Sequence, residues 1–131
     1  MATELKLNIV TPEREVFSGQ ILAITLSAWE GQEGVYPDHD SKLALLRAGV
    51  TSIITTEGEK HWVTGRGFAE MDGSHVTLLT DSCVEVSAVD KAAAEVDLRD
   101  AEAGLAKVDW VSEEAESLRV RQELALAELS A

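Results

Sequence analysis

Cys83-Val84-Glu85-Val86-Ser87-Ala88-Val89-Asp90-Lys91-Ala92-Ala93-Ala94 is the stretch on which the fold turns. Before it the apolar pattern has a period of two; after it, residues recur at spacings of four and three. Residues 1–88 hold both prolines, eight of the nine glycines and 22 Val, Ile or Thr, whereas residues 89–131 hold ten Ala, one Gly and only five Val. The first part therefore reads as β and the second as helical. This gives two expected units, 1–88 a β-sandwich and 89–131 a two-helix antiparallel hairpin.

Working back from that junction, Glu4-Leu5-Lys6-Leu7-Asn8-Ile9 alternates strictly, with Leu5, Leu7 and Ile9 on one face of a strand. Thr11-Pro12-Glu13-Arg14 ends it. Short apolar runs follow at Val16–Phe17, Ile21–Leu26, Leu43–Leu46, Val50–Thr56, His61–Thr64, Phe68–Met71, Val76–Thr80 and Cys83–Val86. Asp72-Gly73, between two of them, predicts a type I′ hairpin. No amphipathic helix intervenes, so an antiparallel sandwich or barrel is expected.

Working forward, Ser87-Ala88-Val89-Asp90 is the expected capping box. Ala94, Leu98, Ala101, Leu105 and Val108 form one helical stripe, and Val111, Ala115, Leu118, Gln122, Ala125 and Leu129 a second. Lys107–Trp110 carries no Gly or Pro, so one continuous helix stays open beside the hairpin. Both stripes are largely alanine, whose burial gains little, since each buried methylene contributes only about 0.8 kcal/mol. Docking on the sandwich must then supply much of the hairpin's stability, which suggests a movable arm.

At 131 residues the chain is long enough for one core without disulfides or metal. Its 24 acids against 11 Lys plus Arg give a net charge of -13, which repels phosphate backbones and anionic lipid. Nucleic acid is excluded as a partner. The acidity is denser in the tail: 13 acids and six bases before position 89, 11 and five from there on. The single cysteine, Cys83, forms no internal disulfide and reads as a packed strand residue whose carboxylate neighbours disfavour a thiolate. Met1–Lys6 carries no basic and apolar targeting pattern, and no apolar run spans a bilayer.

The chemistry-bearing motifs are sparse. Gly65-Arg66-Gly67 lacks the rest of a phosphate loop, and no nucleophile elbow surrounds any serine. Asp38-His39-Asp40 is the nearest thing to a metal or acid–base cluster, yet adjacent residues in extended chain point apart. His61 and His75 read as solvated or core-edge residues. The Glu113-Glu114 pair suits the positive end of a helix dipole. Trp29, beside Glu30-Gly31-Gln32-Glu33-Gly34, is an aromatic on a polar loop and reads as a partner contact. A binding or assembly role thus outranks catalysis.

Ile9-Val10-Thr11-Pro12-Glu13-Arg14-Glu15-Val16-Phe17-Ser18-Gly19, Glu30-Gly31-Gln32-Glu33-Gly34-Val35-Tyr36-Pro37-Asp38-His39, Leu46-Arg47-Ala48-Gly49-Val50, Gly65-Arg66-Gly67-Phe68-Ala69-Glu70 and Val76-Thr77-Leu78-Leu79-Thr80-Asp81 together resemble the epsilon subunit of the F-type ATP synthase. The resemblance implies an α+β, mainly β fold: an antiparallel sandwich of about ten strands, then a helical hairpin. It implies a non-catalytic rotor subunit of the central stalk that couples gamma to the c-ring, peripheral on the cytoplasmic face of the bacterial inner membrane. Trp29, Glu30, Gly31, Gln32 and Glu33 would meet the c-ring; Tyr36, Asp38 and His39 would meet gamma. Asp109, Arg119 and Arg121 would belong to a regulatory tail that reaches the catalytic alpha and beta subunits.

Three departures from the family pattern stand out. The family commonly has Gly-His-Ala-Pro where this chain has Asp38-His39-Asp40-Ser41, Arg-Pro-Gly where it has Arg47-Ala48-Gly49, and Gly-Gly-Phe where it has Gly65-Arg66-Gly67-Phe68. In the ATP-binding motif, compared at Val108-Asp109-Trp110-Val111-Ser112-Glu113, Ser112 and Glu113 replace Arg and Ala. No cofactor, and weak or no ATP binding, is therefore expected. The rival readings are a free-standing sandwich adaptor anchored by Trp29 and a small metal-dependent enzyme using Asp38, His39 and Asp40.

Overall fold

A computed structural model describes residues 4–131 of the chain, apart from the side chain of His39. Residues 1–3, on which part of the targeting-signal reading falls, lie outside it. Ten strands come first: β1 (Leu5–Val10), β2 (Glu15–Ile21), β3 (Ala23–Ala28), β4 (Gly31–Val35), β5 (His39–Leu46), β6 (Gly49–Thr55), β7 (Gly58–Thr64), β8 (Gly67–Gly73), β9 (His75–Thr80) and β10 (Cys83–Glu85). A 3₁₀ turn, Val86–Ala88, leads to α1 (Lys91–Leu105) and α2 (Glu113–Ser130).

The strand order is β10-β7-β6-β3-β5-β8-β9-β1-β2, with β4 on β3. β3 meets β5 only through the pair Ala28–Leu46. The sheet folds there into two faces around one core, to which Leu5, Leu7, Ile9, Ile24, Leu26, Ile53, Met71 and Leu78 all contribute. Leu5, Leu7 and Ile9 are fully buried, as their alternation requires. The pairing is antiparallel except between β1 and β9, which run parallel. That arrangement is open to them because all of β2–β8 lies between them as the crossover.

Three local expectations change. The β8–β9 hairpin forms, but Asp72 pairs with His75, so the two-residue loop is Gly73-Ser74. Gly73 has φ 59° and Ser74 is not in the left-handed region, which is a type II′ rather than a type I′ pattern. The run Ile21–Leu26 is split at Leu22, with Ile21 closing β2 and Ala23 opening β3. Trp29–Glu33, read as loop, is partly strand: β4 pairs with β3 from Ala28–Gly31 to Ile24–Val35.

The C-terminal segment is a hairpin, not one helix. Asp90, not Ser87, caps α1, its side chain accepting from Ala93 N–H at 3.1 Å. The break before α2 needs no Gly or Pro. Asp109 O accepts from Ser112 N–H (3.1 Å) and from its hydroxyl (2.8 Å), closing a turn, and Ser112 Oγ accepts from Ala115 N–H (3.0 Å) as the α2 cap. Glu113, Glu114 and Glu116 occupy the first turn of α2, where the helix dipole favours acids. Ala94, Ala101, Ala115 and Ala125 of the two stripes are buried, whereas Val111 is exposed in the turn. Gly104 lets the helices approach closely, because a Cβ there would lie 2.9 Å from Leu118 Cδ1. Ala127, off the predicted stripe, is buried as well, on a face of α2 turned to the sandwich near β6 and β7.

Candidate functional site

The sandwich residues singled out by sequence lie in β4 and in the segments flanking it. Tyr36 is exposed just past its C-terminal end, and Asp38 follows with φ 64°. Aspartate tolerates this left-handed conformation better than most residues, which accounts for its standing where the family has glycine. Ser41 Oγ donates to Asp72 Oδ1 at 3.0 Å, tying this corner to β8. The backbone of His39 pairs with Gly73. Among the described residues no group of three or more His, Cys, Asp or Glu is arranged to hold a metal. Beside this corner, Leu43 and Leu45 of β5 point outward at 64% and 62% exposure, and Leu45 pairs with half-exposed Phe68. Leu43, Leu45 and Phe68 thus make an apolar patch on the outer face of β5–β8, with exposed Glu70 opposite Leu43.

Trp29, at the other end of β4, has neighbours that its sequence context does not show. Arg47, from the β5–β6 corner, and Arg66, from the β7–β8 corner, place their guanidinium carbons 5.3 and 5.2 Å from the indole centroid. Glu33 is paired with Lys42 across the β4–β5 side. Gly31, at φ 126°, makes the tight turn that sends the chain back along β3.

The two arginines also grip α2. Arg66 Nε donates to Glu123 Oε2 at 2.9 Å, its Nη1 donates to Glu116 Oε1 at 3.1 Å, and Arg47 Nη2 lies 3.8 Å from Glu123 Oε1. Ala48 N–H donates to Glu123 Oε2 at 3.2 Å. A proline at that position, as the family commonly has, could not make this bond. Two of the three departures from the family pattern, Ala48 and Arg66, thus converge on one carboxylate of α2. The sequence shows Gly65-Arg66-Gly67 only as a failed phosphate loop and hides this cluster; its legible signal is a lone cation held between two glycines.

The geometry sets the electrostatics. The hydrogen bond to Glu123 is the main reason that the Arg66 pKa is raised, and burial opposes it. The Glu116 carboxyl is lowered below its ordinary 4.5, chiefly by the bond from Arg66 and next by that from Arg119. Its contribution to stability is present above its ordinary value and fades as pH falls through the lowered one. Glu128 is shifted upward by burial and by Asp97, so it acts in the opposite sense, favouring the folded state most at low pH. Thr80, buried behind the corner, offers its one hydroxyl proton to the carbonyls of Gly65, Arg66 and Ser82, all within 3.3 Å.

Asp109, Arg119 and Arg121 of the predicted regulatory tail all have partners inside the hairpin. Asp109 closes the inter-helix turn. Arg119 donates to Trp110 O at 3.0 Å and to Glu116 at 3.2 Å, and Arg121 reaches Asp97 of α1 at 3.5 Å. Burial pushes the Cys83 thiol up to about 11, with Glu85 adding to the shift and Arg14 opposing it, so the thiol stays protonated at neutral pH. Burial, more than the carboxylate neighbours, is what disfavours the thiolate.

A family model described as ATP synthase, Delta/Epsilon chain, beta-sandwich domain matches residues 4–86. That places the sandwich in the class of ATP synthase delta/epsilon chains. The ATP synthase epsilon chain of Synechococcus sp. (strain WH7803) is 33% identical over 120 residues, covering 92% of this chain and 88% of that one. The chain belongs to the ATP synthase epsilon-chain family. The epsilon chain of Helicobacter acinonychis (strain Sheeba) is 39% identical over 80 residues, 61% of this chain, and the match spans 65% of the Helicobacter chain, just under two thirds. In a cryo-EM structure of the Euglena gracilis mitochondrial ATP synthase, one chain shares the fold with a TM-score of 0.79 over 99% of this chain and 79% of that one, at 22% identity. No helix among the described residues is long and apolar enough to cross a membrane.

Proposed function

We propose that the chain is a non-catalytic central-stalk subunit of an F-type ATP synthase, coupling gamma to the c-ring while ATP is made from the proton gradient. The observation that carries this reading is the epsilon-chain match through both sandwich and hairpin. It displaces the readings as free-standing adaptor and as metal enzyme. The site would be the cytoplasmic face of a bacterial inner membrane, held there by the complex.

In this reading the corner at Trp29, Glu30, Gly31, Gln32 and Glu33 meets the c-ring. The region of Tyr36, Asp38 and His39 meets gamma, with the outward Leu43, Leu45 and Phe68 supplying the apolar area that a lasting interface needs. A stiff, close-packed core suits a part that passes torque between two partners. Because Arg119 and Arg121 are neutralised within the hairpin, the tail is poorly equipped to grip acidic surface on the catalytic subunits. Supplied to an ATP synthase that lacks its own epsilon chain, this chain should co-purify with the complex and restore ATP synthesis. Failure to assemble would overturn the proposal.

We propose also that the isolated chain binds no ATP tightly. Ser112 and Glu113 lack the guanidinium of the motif, and Arg47 and Arg66 are committed to Trp29 and Glu123. Titration calorimetry should show no stoichiometric binding at micromolar ATP; a tight one-to-one isotherm would contradict this.

A further inference from the structure

The inter-helix turn has an unusual apex. Asp109–Ser112 is a four-residue turn closed by Ser112 N–H to Asp109 O, and its two central residues are Trp110 and Val111. Such positions ordinarily favour Gly, Pro, Asn, Asp or Ser. Here they hold large apolar side chains that are 72% and 82% exposed. Three contacts hold the display. Asp109 Oδ1 accepts from Val111 N–H at 3.4 Å, the Arg119 guanidinium covers one face of the indole at 4.9 Å, and Arg119 Nη1 holds the Trp110 carbonyl at 3.0 Å. An aromatic fixed in advance loses little freedom on binding. The bond nearest the turn that ties α2 to the sandwich is Arg66–Glu116, and the turn lies beyond it.

The surroundings choose the occupant. Asp109, Glu113 and Glu114 flank the apolar pair in the sequence of the turn, Arg119 is engaged with Glu116, and Lys107 is the other cation of the turn region. An anionic bilayer or a second copy of a chain with net charge -13 would be repelled. We infer that Trp110 and Val111 form a docking knob for a protein partner, a neighbouring subunit whose apolar cleft is rimmed by Lys or Arg. The inference rests on the rotor-subunit reading for where such a neighbour is found, but it assigns a contact that the sandwich corners at Trp29 and Tyr36 do not provide.

The test uses the assembled complex depleted of its epsilon chain and titrated with the purified, full-length chain. Trp110→Ala, whose side chain supports no core, should keep the wild-type circular dichroism and weaken binding at least tenfold. Glu113→Gln with Glu114→Gln should weaken it severalfold at low salt and flatten its salt dependence. Unchanged affinity for Trp110→Ala overturns the knob. Loss with Trp110→Ala but no effect of the glutamine pair overturns the basic rim. Trp110-dependent dimerisation of the chain, or binding to phosphatidylglycerol vesicles, also overturns it. If the wild-type chain does not bind the depleted complex, the rotor reading itself fails, a result distinct from tight binding that ignores position 110.

Discussion

Replacing Glu123 with alanine is expected to loosen the helical hairpin from the sandwich by about 1.5–3 kcal/mol, the range for hydrogen bonds to charged groups. Glu123 is the one α2 carboxylate that gathers Arg66, Arg47 and the Ala48 N–H together, and its side chain is only 13% exposed. The other ion pair between α2 and the sandwich that remains is Arg66–Glu116, whose carboxylate is 55% exposed and so compensates little. Hydrogen exchange should speed up through α1 and α2 while β1, β8 and β9 keep their protection. Ala48→Pro, which deletes one donor and leaves the guanidinium bonds, should give the same pattern at about 1 kcal/mol. Unchanged exchange in both variants would show that the arginine cluster does not hold the hairpin. Trp29 should report the same event. With Glu123 gone, the two arginines lose the anchor that orients them over the indole, and its fluorescence should shift.

The second large effect lies in the glycine after Arg66. A Cβ on Gly67 would sit 1.9 Å from the Leu79 carbonyl oxygen and 2.8 Å from Thr80 Cα, both backbone atoms of the paired strand β9. Neither can rotate away, in contrast to Gly104, where the obstacle is the end of a leucine side chain. Gly67→Ala should therefore cost about 3 kcal/mol or more and lower the melting temperature by about 10 °C or more, measured by calorimetry. A drop of only one or two degrees would mean that β8 and β9 separate more readily than their packing indicates. The same close approach fixes where Arg66 leaves the sheet, which links the fold of this corner to the hairpin's hold on it.

The strands with regular patterns are legible from the amino-acid order alone. Leu5, Leu7 and Ile9 are buried as their alternation says, because a pleated strand has no other way to bury three apolar side chains on one face. β4 is not legible: Gly31-Gln32-Glu33-Gly34 has no apolar alternation, and its pairing comes from the chain folding back on β3. The helix break at Asp109 and Ser112 carries neither Gly nor Pro, although a capping serine followed by two glutamates is itself a start signal. Trp29, judged by its neighbours in sequence, is a contact for another protein. Arg47 and Arg66 also pack over its ring, and behind them stands Glu123, 94 positions along the chain. Periodicity carries no information about partners so remote, and the charge total of the tail conceals that one acid in it is an anchor.

The connection between sheet and hairpin is short: Val86–Ala88 as a single 3₁₀ turn, then Val89 and the cap Asp90. A released hairpin cannot diffuse away, and a tether of this length holds it at an effective concentration on the order of millimolar around its own docking surface. Closure is thus independent of how many copies of the chain a cell contains. A binding partner that captured the free helices would compete with that local concentration, while substitutions at Arg66 or Glu123 would change the odds of capture directly.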